Sequence, residues 1–157
     1  THGAAGEIGH ACVEPSETER CNCGNYGCLE QMAAATGIVR LANKELKQSD
    51  EDSLLRKEKV TAKSVFDAYK QDDALASRVV RRFGEYLGNA LAIFSCVVDP
   101  ERIVIGGGVS KAGEVLISVI EPYFRRDAFP ACKNIPIVLA TLGNDAGIYG
   151  TAKLVLD

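Results

Sequence analysis

The feature that most constrains this chain is a cluster of metal-ligating residue types near its start. His10 is followed, after ten residues, by Cys21-Asn22-Cys23-Gly24-Asn25-Tyr26-Gly27-Cys28. One imidazole and three thiols in so short a stretch form a Cys3His set, which suits zinc(II) in tetrahedral coordination. Four protein ligands leave no open position for an activated water, so the expected role of His10, Cys21, Cys23 and Cys28 is structural. Gly24 and Gly27 fit the tight turns needed to wrap three sulfurs around one ion. The bland alternative is a group of reduced cysteines without metal, which leaves the dense turn unexplained. The other three cysteines, Cys12, Cys96 and Cys132, stand in apolar company and are expected to be small core residues.

Composition narrows the function classes. The chain has 157 residues and a formal net charge of −3, with no block of consecutive Lys or Arg. That leaves no electrostatic footprint for a polyanion, so nucleic acid is not expected as a partner of this segment. The apolar runs, Ile103-Val104-Ile105 and Ile135 to Ala140, are far shorter than the roughly 20 residues that cross a bilayer. With no signal-peptide pattern at the start, the expected location is the cytoplasm and no membrane partner is expected. The opening Thr1-His2-Gly3-Ala4-Ala5-Gly6 lacks an initiator Met. It reads as cut from something longer, and His2 reads as a loop residue.

Periodicity places the elements. The polar run from Ser49 to Lys59 reads as an exposed loop or short mobile insertion separating a cysteine-rich first third from a periodic remainder. Thr61 can cap a helix carrying Val65, Phe66 and Tyr69. A longer helix from about Asp73 spaces Leu75, Val79, Phe83, Leu87 and Leu91 four apart and ends at Asp99-Pro100. Gly84 and Gly88 lie on an adjacent stripe, where packing against another backbone is the simplest reading. Two strand-and-helix units follow. Arg102 to Ile105 leads through Gly106-Gly107-Gly108 into a helix from about Ser110, in which Pro122 should kink or mark a break. Pro136 to Ala140 leads through Leu142-Gly143-Asn144-Asp145 into a last helix begun and capped by Asn144 and Asp145. The expected class is α/β.

These residues resemble the ROK family. Gly6-Glu7-Ile8-Gly9-His10 and Cys21-Asn22-Cys23-Gly24-Asn25-Tyr26-Gly27-Cys28-Leu29-Glu30 are similar to its paired signature. The likeness extends through Ile103 to Ser110 and Leu142 to Gly147, and Gln31 to Arg40 looks most like Gram-positive glucokinases. The resemblance implies an actin-like, ribonuclease-H-like ATPase fold with a zinc-binding loop, of which residues 1–157 are the carboxyl-terminal domain. Residues 1–48 would be the sugar- and zinc-binding segment and 61–157 the nucleotide-side core. It makes Glu7, His10 and Glu30 ligands of sugar hydroxyls, and puts Gly106, Gly107 and Gly108 on the nucleotide side of the cleft.

Two carboxylates suit a polyol, because each offers two acceptor oxygens and charge-assisted hydrogen bonds are the stronger kind. A metal on one nitrogen of His10 would fix the tautomer and leave the other N–H to donate. The family's phosphate loop and catalytic Asp precede the residues present here, so no catalytic residue is assigned. ATP with Mg2+, a hexose such as glucose, the missing amino-terminal half and a homo-oligomer are the implied cofactors and partners. The fragment alone is expected to be inactive. A sugar-responsive ROK repressor, or a kinase for N-acetylmannosamine or another hexose, is the alternative.

Overall fold

The computed structural model describes residues 2–156, Asn144 by its backbone alone. Element order is α1 (Leu29–Ala33), α2 (Ala35–Gln48), α3 (Ala62–Tyr69), α4 (Ala74–Val98), β1 (Ile103–Ile105), α5 (Glu114–Asp127), β2 (Ile137–Leu139) and α6 (Ala146–Leu156), with short 3-10 turns between. The two strands pair in parallel, Ile103 opposite Ile137 and Ile105 opposite Leu139, as an α/β unit requires when a helix connects them. No described helix is long and apolar enough to cross a membrane.

Capping chemistry accounts for the helices read from the sequence. The Thr61 hydroxyl accepts from the Ser64 N–H and the Ser64 hydroxyl accepts from the Thr61 N–H, closing a reciprocal box at the start of α3. Asp73 accepts from the Ala76 N–H at 2.8 Å, and α4 stops where Asp99 turns into the left-handed region at φ 44° before Pro100. Between these ends the stripe Leu75, Val79 and Phe83 is wholly buried. Phe83 meets Phe66 of α3 edge to face, with centroids 5.9 Å apart.

Gly84 and Gly88 mark the crossing of α4 and α5. A Cβ on Gly84 would stand 2.5 Å from the Val119 carbonyl oxygen, and one on Gly88 would stand 2.8 Å from the Phe124 nitrogen. Those obstacles are backbone, which cannot step aside as a side-chain tip can. Gly84→Ala gains about 1 kcal/mol of helix propensity. Overpacking of this kind costs roughly 1–3 kcal/mol, so the clash wins. The expected result in thermal unfolding is a Tm lowered by several degrees; an unchanged or raised Tm would mean that α5 can retreat.

Several expectations need correction. The run from Ser49 to Lys59 is mostly exposed, as a loop would be, but it is docked rather than a mobile insertion: Leu55 is buried, the Ser53 hydroxyl donates to Asp73, and Arg56 donates to the carbonyls of Glu51 and Leu46. Of the three scattered cysteines only Cys132 is buried, while Cys12 and Cys96 are exposed. The helix placed from Ser110 begins at Glu114. Residues Gly108–Ala112 form a 3-10 turn, and Gly113 at φ 77° separates the two. Pro122 lies inside α5 without ending it. It and Ser118, the residue whose carbonyl loses its donor, both sit on the exposed face, where water can supply the partner. Asp145 lies in the 3-10 turn before α6, and the side chain of Asn144 is outside the described residues.

Candidate functional site

The site is built on a short antiparallel crossing of two segments. The Leu29 N–H donates to the Ala11 carbonyl at 2.9 Å and the Val13 N–H to the Gly27 carbonyl at 2.8 Å, so Cys12 and Cys28 oppose each other directly. A second bridge, Arg20 with Tyr26, and the bond from the Cys21 N–H to the Asn25 carbonyl at 2.7 Å close the loop that carries Cys21 and Cys23. Gly27 is obligatory here. Its φ is 66°, and a Cβ would fall 2.0 Å from the Glu14 carbonyl oxygen.

The loop brings His10, Cys21, Cys23 and Cys28 together, one ligand atom of each lying within 4.8 Å of every other. Cys23 Sγ and Cys28 Sγ are 3.6 Å apart, and Cys21 Sγ is 3.7 Å from His10 Nδ1. A disulfide would place sulfurs about 2.05 Å apart. A tetrahedron with zinc–sulfur arms of about 2.3 Å has edges of roughly 3.8 Å, so the spacing fits a shared ion rather than a bridge. Thiol chemistry points the same way. Burial, and then the Cys23 and Cys21 sulfurs beside it, push the Cys28 thiol up to about 12, whereas hydrogen bonding led by the Asn25 backbone pulls Cys23 below the ordinary thiol range. Three sulfurs crowded so closely can all be thiolates only if a cation lies among them.

Both predicted sugar carboxylates border this cluster. His10 Nε2, the nitrogen turned away from Cys21, lies 3.7 Å from Glu7 Oε2, and Glu30 Oε1 lies 3.5 Å from Cys21 Sγ. The turn carrying Glu7 and His10 sits against α1, where a Cβ on Gly9 would be in ordinary contact with that of Glu30 at 3.8 Å. Glu7 is exposed and Glu30 half-buried, leaving both oxygen sets reachable from solvent. Gly106, Gly107 and Gly108 do not join the group. They follow the carboxyl end of β1, and Gly108 borders a separate cavity of about 180 Å3 lined also by Lys63, Phe66, Lys70 and Val109. Ligands of parallel α/β sheets commonly bind outside the carboxyl ends of the strands.

Sequence reasoning missed the side chains that brace the loop. Gln31, at the edge of full burial, accepts from the Cys28 N–H at 3.2 Å and donates to the Glu19 carbonyl at 3.0 Å, tying the two cysteine-bearing limbs together. Glu17 is strapped to α2, with Arg40 Nη2 2.6 Å and Lys44 Nζ 2.9 Å from its Oε2, while Oε1 accepts from the backbone N–H groups of Thr18 and Glu19. Only the box-like spacing of Cys28 and Gln31 offered a signal; partners 23 and 27 residues apart offer none.

Burial would raise the Glu17 carboxyl, but the hydrogen bonds from Arg40, Glu19 and Lys44 outweigh it and hold it at about 2. A depressed folded value stabilises the fold above the unfolded pKa, and that contribution disappears as pH falls toward about 2. Glu17→Gln is therefore expected to lower stability at pH 7 by on the order of 2 kcal/mol and to flatten the acid limb between about pH 4.5 and 2. Denaturant unfolding against pH checks this; an acid limb unchanged by the substitution would show that Glu17 carries none of it.

Comparisons with known proteins agree with the geometry. The ROK family model matches residues 1–157. The glucokinase of Halalkalibacterium halodurans is 46% identical over 159 residues, covering 98% of this chain and 48% of that protein. The DNA-binding transcriptional dual regulator NagC of Escherichia coli is 38% identical over 148 residues, covering 94% of this chain and 36% of the regulator. The crystal structure of a ROK family glucokinase from Streptomyces griseus, in complex with glucose and AMPPNP, superposes with a TM-score of 0.83 at 31% identity, covering 96% of this chain and 51% of that one. The chain thus spans about half the length of the glucokinases it matches. With the signature, the α/β architecture and the match over its whole length in agreement, this chain belongs to the ROK family.

Proposed function

We propose that this chain is the sugar-gripping half of an ATP-dependent glucokinase, organised around one structural zinc ion at His10, Cys21, Cys23 and Cys28. The observation that carries the reading is the joint geometry of the cluster, with Glu7 3.7 Å from the free nitrogen of His10 and Glu30 3.5 Å from Cys21. Bound there, the metal supplies no reaction chemistry; it fixes the loop and the His10 tautomer. His10 Nε2–H donates to one sugar hydroxyl, and Glu7 and Glu30 accept from others, so the hexose is oriented by charge-assisted bonds. Residues 1–48 form this sugar face. Residues 61–157 form the nucleotide side, where Gly106, Gly107 and Gly108 let the nucleotide approach the backbone at the carboxyl end of β1.

The 46% identical glucokinase and the glucose- and AMPPNP-bound neighbour support a kinase with glucose as its hexose. The base that takes the hydroxyl proton, the phosphate loop and the site for Mg2+ are assigned to the amino-terminal half of the protein. Transfer itself is in-line displacement at the γ-phosphorus, for which this chain positions the acceptor. The regulator NagC favours a second reading, a sugar-responsive repressor sharing the same sugar face. ATP-dependent phosphorylation of glucose, N-acetylmannosamine and fructose by the full-length protein separates them. Glucose 6-phosphate as the main product is expected; glucose binding without turnover would give precedence to the repressor, and preference for N-acetylmannosamine would reassign the hexose.

A further inference from the structure

The metal cluster uses three of the four cysteines in its neighbourhood, and the fourth stands where it can reach one of the three. Cys12 and Cys28 are directly opposed across antiparallel backbone, bracketed by the bonds Leu29 N–H to Ala11 and Val13 N–H to Gly27. Bonds on both sides of the pair and none within it define the non-hydrogen-bonded kind, whose Cα atoms lie about 4.5 Å apart. Disulfides accept Cα separations of roughly 4.4–6.8 Å, so the backbone already meets their requirement. The two thiols differ in access. Cys28 is wholly buried, while Cys12 is exposed, with its sulfur against Gly27, where a Cβ would lie 3.3 Å from it. Cys12 is not among the four clustered ligands, so its sulfur needs only a side-chain rotation, not release from a metal, to turn toward Cys28.

We propose that Cys12 and Cys28 are a reversible disulfide site, formed by a two-electron oxidant such as hydrogen peroxide, and that closing it withdraws Cys28 from the metal. The exposed Cys12 sulfur attacks a peroxide oxygen: an S–O bond forms, the O–O bond breaks, and the departing hydroxide leaves as water with the thiol proton. The Cys28 sulfur, parting from the metal, then attacks Cys12. An S–S bond forms, the S–O bond breaks, and the second oxygen leaves as hydroxide, which takes a proton from solvent to become water. One thiol and one metal-bound thiolate are oxidised, one peroxide and one solvent proton yield two waters with the thiol proton, and the ion left with three ligands passes to solvent. Reduction by a dithiol reverses the exchange and restores the ligand set.

The proposal rests on the metal reading above. Its test is peroxide treatment of the full-length zinc-loaded protein, alkylation of remaining thiols, and mass-spectrometric mapping of the linkage, with released zinc followed by a chromophoric chelator. The expected result is one Cys12–Cys28 linkage per zinc released, zinc release slowed at least tenfold in Cys12→Ser and Cys12→Ala, and recovery on adding dithiothreitol and zinc. Linkages confined to Cys21, Cys23 and Cys28 with Cys12 still alkylated would overturn it, as would equal release rates in both variants. Should a variant emerge without zinc, the mapping on the unaltered protein decides. Unaltered protein isolated without zinc would defeat the metal reading, while the mapped linkage would still decide on the cysteine pair.

Discussion

Cys28→Ser is expected to leave the protein with less than one tenth of its bound zinc and a Tm lower by roughly 6–12 °C. The position is fully buried, and its sulfur stands 3.6 Å from Cys23, inside the cluster. A serine hydroxyl is a poor zinc ligand at neutral pH and leaves a polar group with little to bond. Structural zinc contributes about 10–16 kcal/mol in small metal-folded domains. Here the core around Phe83, Leu75 and Ile38 stands apart from the metal, so a loss nearer 3 kcal/mol is expected, at about 2–4 °C each for a protein of this size. Elemental analysis and thermal unfolding read the two effects separately. Full zinc content in the variant would remove Cys28 from the ligand set.

Glu30→Gln addresses the sugar and spares the metal. The amide keeps the shape of the side chain but gives up the charge and one acceptor, and hydrogen bonds to charged groups are worth roughly 1.5–3 kcal/mol. Glucose affinity is expected to fall about ten- to a hundredfold in calorimetric titration, with zinc content and Tm unchanged. The contrast with Cys28→Ser is informative because Glu30 follows Cys28 by only two residues. If the substitution lowered zinc content as much as glucose affinity, Glu30 would be part of the loop's scaffold rather than a contact to the sugar.

How legible these features were depends on the range of the interactions behind them. The clustering of His10, Cys21, Cys23 and Cys28 could be read because the four lie within 19 consecutive residues, and the loop they close is local. The starts of α3 and α4 and the end of α4 were legible for the same reason, since Thr61, Asp73 and Asp99-Pro100 act within one turn. The docking of residues 49–59 was missed because only two of them, Leu54 and Leu55, are apolar, and Ser53 finds its partner 20 residues away at Asp73. Apolar neighbours misled for Cys96, which shares the exposed end of α4 with Val97 and Val98. The strap from Glu17 to Arg40 and Lys44 was invisible, because nothing in the spacing of charges says which pairs the fold will bring together. Gly113 likewise divides a turn from α5 through a positive φ that the sequence alone leaves open.

The most direct test of a metal-organised sugar face is the affinity for glucose of the unaltered full-length protein, measured by calorimetry with zinc bound, after chelation, and after zinc is restored. At least a tenfold loss on chelation, recovered on restoring the metal, is the predicted result. Equal affinity in all three states would contradict it, and would show that Glu7, His10 and Glu30 hold their places without the ion.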